Sequence, residues 1–462
     1  MTASATPGTA ALDELAAGLP EGALVTDVDV VEGYRRDRAA WAHPGQPLCL
    51  VRATGTADVV HVLRWANAHR VPVVPRGAGS GLSGGATAVD GCVLLSLERM
   101  DRTCEVDPAG MYAVVQPGVV NADLKTAARA HGLWYPPDPA SYEFSTIGGN
   151  LATNAGGLCC VKYGVTRDYV LGLQVVLADG TVVRTGGRTV KNVAGYDLTR
   201  LFVGSEGTLG VVTEAVLRLR PAPPPATTLA ATFPTLVAAG AAVSDIVTRT
   251  RPSLLELMDR ATLQAVEDFQ PMGLDLDAAA LLVARSDSGG AAAVEEVAAM
   301  AAACRAAGAT LVEHTDDPAE GEMFLAVRRL AYPAMERRGA TLVDDVAVPL
   351  PLIPRLVAAV EEIAERHGTL VATVGHAGDG NMHPLAVFDP ADPDAEQRAL
   401  AAFADIMRAA IDLGGTITGE HGVGTLKRPF LAAQVGEAAL GVQRAIKAAL
   451  DPLGILNPGK VL

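Results

Sequence analysis

The chain has 462 residues and 49% apolar composition, enough for two or three domains with buried cores. Its formal net charge of -15 argues against a nucleic-acid footprint and against a polybasic membrane anchor. The cysteines, Cys49, Cys92, Cys104, Cys159, Cys160 and Cys304, show no C-x-x-C spacing, so no iron-sulfur cluster or zinc ribbon is encoded locally.

In chain order, the first basic residue is Arg35, so the start lacks the basic region of a secretory signal or transit peptide, and a cytoplasmic location is expected. Helical patterning follows at Ala57 to Ala68, and strands are predicted at Val71 to Pro75, Cys92 to Leu97 and Tyr112 to Gln116. Between the first two strands runs Arg76-Gly77-Ala78-Gly79-Ser80-Gly81-Leu82-Ser83-Gly84. Its glycines satisfy G-x-G-x-x-G, but Ala86 to Gly91 is a poor helix start, which excludes a Rossmann turn. A glycine-dense loop can still hold a pyrophosphate on consecutive backbone amides.

A helix is predicted at Val120 to Ala130. A second small-residue segment follows at Ser145 to Gly157, then strands at Leu171 to Leu177 and Thr181 to Arg184, then a third glycine segment at Gly204 to Gly210 leading into a strand to Leu219. Three such segments in one domain suggest a long, bent ligand held by backbone. Adjacent Cys159 and Cys160 are expected as reduced thiols.

Pro221-Ala222-Pro223-Pro224-Pro225 reads as a stiff linker and divides the chain. The apolar stretch Thr227 to Val247 is broken by Pro234, Gly240, Ser244 and Asp245, so no membrane span is predicted. Beyond the linker, helices are predicted at Val294 to Ala307, Glu320 to Ala334, Leu352 to Arg366, Asp394 to Leu413 and Gly436 to Leu450, with strands at Leu281 to Ala284 and Thr341 to Val348. That alternation suits a cap built as a sheet with helices on one face.

Two blocks near the C-terminus carry three of the nine histidines. His376 and His383 flank a glycine-bearing turn between strands Leu370 to Val374 and Pro384 to Phe388, so a hairpin can bring both imidazoles to its mouth. With Glu420 they form a usual catalytic ligand set for zinc or a similar ion. If Gly415 to Thr418 leads on in extended form, Glu420 and His421 point to opposite sides. Each histidine alone reads as a loop residue bonded to backbone; the constellation, set among Gly375, Gly378, Gly380, Gly419, Gly422 and Gly424, reads as a functional site.

The loop Pro75 to Gly85, Pro136-Pro137-Asp138-Pro139, Ser145 to Asn150, Tyr163 to Asp168, Gly195 to Leu198 and Phe202 to Gly210 resemble the FAD domain of the vanillyl-alcohol-oxidase flavoprotein superfamily. The His376 to His383 block, Gly419 to Gly422 and Asp451 to Lys460 resemble its FAD-linked D-2-hydroxyacid dehydrogenase branch, which includes D-lactate dehydrogenases and the flavin subunit of glycolate oxidase. The resemblance implies an α+β fold: a two-subdomain FAD-binding domain of the vanillyl-alcohol-oxidase (PCMH) type over residues 1–222, with its core at about 46–222, then an α+β cap with a sheet covered by helices over 223–440. Residues 441–462 would return to the FAD domain.

By the same resemblance, non-covalent FAD is held by Pro75, Arg76, Gly77, Ala78, Gly79, Ser80, Gly81, Pro137, Ser145, Thr146, Gly148, Gly149, Asn150, Asn154, Gly156, Gly210, Val212 and Asn457. Ala78 stands where some relatives carry a histidine bonded covalently to flavin. A divalent metal, zinc or manganese, falls to His376, His383 and Glu420, the catalytic base to His421, and the carboxylate-binding arginine to Arg328. The implied reaction is oxidation of a short D-2-hydroxy acid, D-lactate or glycolate first, to the 2-oxo acid by metal-assisted deprotonation and hydride transfer to flavin N5. The alternatives are a D-2-hydroxyglutarate dehydrogenase or a flavin electron-transfer subunit of a multi-subunit glycolate oxidase. Tyr332, and the absence of lysine from Thr341 to Asp345, disfavour a dicarboxylate. A quinone, a soluble carrier or an iron-sulfur subunit would accept the electrons, and a homodimer is compatible with the sequence.

Overall fold

A computed structural model describes residues 9–462. They cluster into two compact units: one holds the chain up to Ala155, Val165–Ala222 and Glu420–Leu462, the other Gly156–Gly164 and Pro223–Gly419.

In the first unit, strands Cys49–Arg52, Val93–Ser96 and Val73–Arg76 pair in parallel, with Leu24–Val25 antiparallel at one edge. The connection between Cys49–Arg52 and Val73–Arg76 is the helix Thr56–His69. Its Val59, Val62, Leu63 and Ala66 follow the i, i+3, i+4, i+7 pattern and are buried with Val51, Val73, Val93 and Leu95 of the sheet. The helix ends on Arg70 in the left-handed region, φ 54°. At the far edge, Val73 donates to Ile455 O and accepts from the Asn457 N–H, so the end of the chain runs along Val73–Arg76. A second, antiparallel sheet takes the order Thr103–Asp107, Tyr112–Val115, Val211–Arg218, Val170–Val176, Val182–Gly186. In Val211–Arg218 the buried residues alternate with half-buried ones, the period-2 signature of one core-facing side.

The second unit is built on an eight-stranded sheet. Its order is Leu311–Thr315, Thr227–Phe233, Ala280–Ser286, Leu254–Asp259, Leu370–His376, Asn381–Phe388 and Ala340–Val343, with Val346–Ala347 also pairing to Asn381–Phe388. Met258, Val283, Val374 and Leu385 face the helices Arg260–Phe269 and Pro318–Glu336. Leu257, Leu282 and Ala231, which alternate with them, are buried as well, and Leu236–Arg249, Gly290–Ala306 and Ile353–His367 also pack on the sheet. Helices therefore cover both faces, not one as the sequence suggested; strands that are apolar on both sides need cover on both. The stretch Thr227 to Val247 divides into a sheet strand and a helix, and no helix among the described residues is long and apolar enough to cross a membrane.

Candidate active site

In the first unit, the glycine loop leaves the carboxyl end of Val73–Arg76 and opens no helix: Ala86 to Gly91 are irregular. Among the described residues, no backbone N–H from Gly77 to Ser83 donates to a protein acceptor. Unspent amides of that kind are what an anionic ligand requires. The loop is also closely framed. A Cβ on Gly77 would lie 2.2 Å from Thr146 Oγ1, and one on Gly79, at φ +69°, 2.0 Å from Arg76 Nη2. The Arg76 guanidinium itself donates to Arg36 O at 2.7 Å.

The other two small-residue segments meet this loop. Thr146 caps the helix Ile147–Thr153 by accepting the Gly149 N–H, and Gly148 packs against Pro117 so closely that a Cβ would come within 2.6 Å of it. Asn150 donates to Ser145 Oγ and accepts from Asn121, which also donates to Pro137 O. A Cβ on Gly207 would touch Pro75 at 3.1 Å, while the Gly204 and Glu206 N–H groups donate to Leu151 O and Ala152 O. Asn457 donates to Gly85 O at 2.9 Å and Glu206 O at 2.7 Å, and its Oδ1 is buried with no protein donor.

Four distant stretches thus converge around Pro75 to Gly85. A cradle of glycines that side chains would fill, lined by unspent amides and one buried orphan acceptor, fits FAD. Asn154 closes its helix at φ 54° and accepts the Arg167 N–H. Gly210 packs on Val175, Val212 sits in the strand beyond, and Gly156 opens the segment that belongs to the other unit. Ala78, Ser80 and Gly81 are half-buried loop residues.

In the second unit, strands Leu370–His376 and Asn381–Phe388 pair antiparallel with Val374 opposite His383. His376 lies two residues beyond Val374, hence on the same face as His383. Their rings stand edge to face with centroids 5.1 Å apart, and both are buried. On the neighbouring strand Leu257 pairs with Gly375, and that register sets Glu256 opposite His376. The Glu256 carboxylate, with no exposed side-chain surface, accepts from His376 Nδ1 at 2.8 Å and from Arg328 Nε at 2.8 Å. Nδ1 is thereby the protonated nitrogen and Nε2 carries the ring's lone pair, a tautomer of the kind that carboxylate-backed metal-binding histidines adopt. Arg328, on Pro318–Glu336, is buried beside it.

Beside His383 lies Asp345, whose Oδ1 is 3.6 Å from His383 Nδ1 and whose Oδ2 accepts the Thr418 hydroxyl at 2.7 Å. Asp345 O also accepts the Gly419 N–H at 3.0 Å, fixing the residue before Glu420. Two buried imidazoles backed by carboxylates suit zinc or manganese.

Glu420 and His421 open the last segment of the first unit. Residues 415–422 bend rather than run as a strand, so alternation does not separate their side chains: Glu420 Oε1 lies 3.7 Å from His421 Nε2.

Sequence reasoning missed Glu256, Asp345 and Glu206. A lone carboxylate inside the apolar run Leu254-Leu255-Glu256-Leu257-Met258 was the available signal, because a buried charge needs a partner.

The profile described as "FAD linked oxidases, C-terminal domain" matches residues 222–461, and "FAD binding domain" matches residues 47–186. The chain belongs to the FAD-linked oxidase family and is an FAD-linked oxidoreductase. It is 42% identical over 442 residues to the Glycolate oxidase subunit GlcD of Bacillus subtilis (strain 168), covering 95% of this chain and 92% of the relative. It is 35% identical over 452 residues to the D-lactate dehydrogenase of Anaerostipes hadrus, covering 96% and 95%. Among solved structures, p-cresol methylhydroxylase with substrate bound superposes with a TM-score of 0.82 at 19% identity, covering 98% of this chain and 96% of that one. The 4-ethylphenol oxidase from Gulosibacter chungangensis gives 0.78 at 20% identity, with the same coverage. At that identity the likeness speaks for the fold alone.

Proposed function

We propose that the protein oxidises a short D-2-hydroxy acid, D-lactate or glycolate first, to the corresponding 2-oxo acid. The observation that carries this reading is the buried Arg328–Glu256–His376 chain, which ties an anion-recognising guanidinium to an imidazole pair. The names of the relatives, glycolate oxidase subunit and D-lactate dehydrogenase, support the same substrate class.

FAD, held by the glycine cradle around Pro75 to Gly85, would supply the acceptor for the substrate Cα hydrogen and its electron pair. A zinc or manganese ion held by His376, His383 and Glu420 would lower the pKa of the substrate hydroxyl. Arg328 spends Nε on Glu256 and offers its Nη edge to the substrate carboxylate, a charge-assisted and bidentate pairing. Glu256 balances that arginine's charge and fixes the tautomer of His376. His421 takes the hydroxyl proton onto a ring nitrogen, suited to the task because imidazole titrates near neutral pH. Without a cluster motif of its own, the protein would pass electrons onward to a quinone, a soluble carrier or an iron-sulfur subunit; the subunit designation of one relative favours the last.

The test is an anaerobic titration of metal-replete protein with D-lactate, L-lactate, glycolate and D-2-hydroxyglutarate, following flavin absorbance. Rapid bleaching by D-lactate or glycolate is expected. Reduction by D-2-hydroxyglutarate alone would overturn the short-acid assignment, and flavin reduced by none of the four would move the protein to an electron-transfer role.

A further inference from the structure

Glu206 is a buried carboxylate that the reaction above leaves unused. It sits in the glycine segment Gly204 to Gly210 at φ +50°, a left-handed conformation that a residue with a long side chain seldom adopts. Four bonds explain why it is held there. Its N–H donates to Ala152 O at 2.9 Å, and its carbonyl accepts the Asn457 amide at 2.7 Å. Its carboxylate accepts the Val423 N–H at 2.7 Å through Oε1 and the Gly424 N–H at 2.9 Å through Oε2.

Those two amides belong to the turn that follows His421. Gly422, between His421 and Val423, lies at φ +84°, and a Cβ there would come within 2.8 Å of Glu206 Oε1. The turn therefore closes directly onto the carboxylate. Burial raises the Glu206 carboxyl to about 7 against the pull of the two amides and the Lys427 charge. Holding a carboxylate in such a place is costly, which argues for a specific use.

We infer that Glu206 is the positioning residue for His421: it locks the 422–424 turn to the FAD cradle and so fixes the direction in which the imidazole reaches the substrate hydroxyl. This rests on the reading of His421 as the proton acceptor. Misplacing a reacting group by about 1 Å can cost a hundredfold in rate, so loss of one of the two amide bonds should slow the chemical step while leaving substrate binding nearly intact.

The test uses holoenzyme carrying Glu206→Gln or Glu206→Ala, with His421→Gln in parallel. Glu206→Gln keeps the shape but can accept only one amide. Expected are normal FAD content, a substrate affinity within about threefold, and anaerobic flavin reduction slowed about 10-fold in Glu206→Gln and about 100-fold in Glu206→Ala. Wild-type reduction rates in both variants, with His421→Gln inactive, would overturn this inference alone. Loss of FAD or of folding in Glu206→Gln would overturn it too, by making the residue a general prop. A fully active His421→Gln would instead remove the proton acceptor on which the inference depends.

Discussion

Glu256 joins two residues that the sequence separates by about 50 positions. Each oxygen of its carboxylate meets one donor, Arg328 Nε or His376 Nδ1, and that pairing is what makes a fully buried charge tolerable. Glu256→Gln would lose the anionic acceptor behind His376. We expect zinc or manganese binding to weaken about 10- to 100-fold, measured by titrating metal-free protein; an unchanged affinity would remove Glu256 from the metal site's support. Arg328→Lys keeps the charge but lacks the planar fork, so the apparent affinity for 2-hydroxy acids should fall about tenfold or more with the flavin spectrum unaltered. An unchanged affinity would point to another carboxylate anchor. His376 and His383 were legible because glycines and strand patterns mark a hairpin. Glu256 was not, since its meaning comes from the register with Leu370–His376 and from a helix beyond it.

The element most exposed to a single change is the glycine loop. At Gly79 an L-residue meets both a left-handed φ and the Arg76 guanidinium at 2.0 Å. Gly79→Ala should lower the FAD content of the purified protein without changing its far-ultraviolet dichroism, and full occupancy would show that the loop adapts. The strand Leu254–Asp259 and helix Arg260–Phe269 meet at Asp259, whose carboxylate accepts the Thr262 N–H and hydroxyl and the Thr373 N–H. Burial pushes its carboxyl up to about 6 from 3.8. Between those values the native state holds a proton that the unfolded chain has released, so stability falls as pH rises from about 4 to about 6 and levels off above. The size is on the order of 3 kcal/mol. Urea midpoints from pH 4 to 7 should show this decline, and Asp259→Asn should flatten it; a parallel decline in the variant would assign the slope elsewhere. Neither element was read from sequence, because five apolar-dominated residues from Leu254 to Met258 give no period that separates strand from helix.

At the scale of the molecule, the FAD cradle and the imidazole pair lie in different units, each with its own buried core. Exhaustive chelation should therefore abolish substrate-driven flavin reduction while FAD stays bound, as read from absorbance after desalting. Activity indifferent to chelation would sink the metal assignment.

Sequence by itself determined the family, the glycine segments and the histidine blocks, because glycine density and strand period are local properties. Tertiary structure alone decided which carboxylates support those blocks. Glu256, Asp345 and Glu206 act through strand register and turn closure between segments far apart in the chain, and no local pattern encodes such pairings. It also decided that helices cover both faces of the second sheet, since the number of buried faces depends on which strands become neighbours.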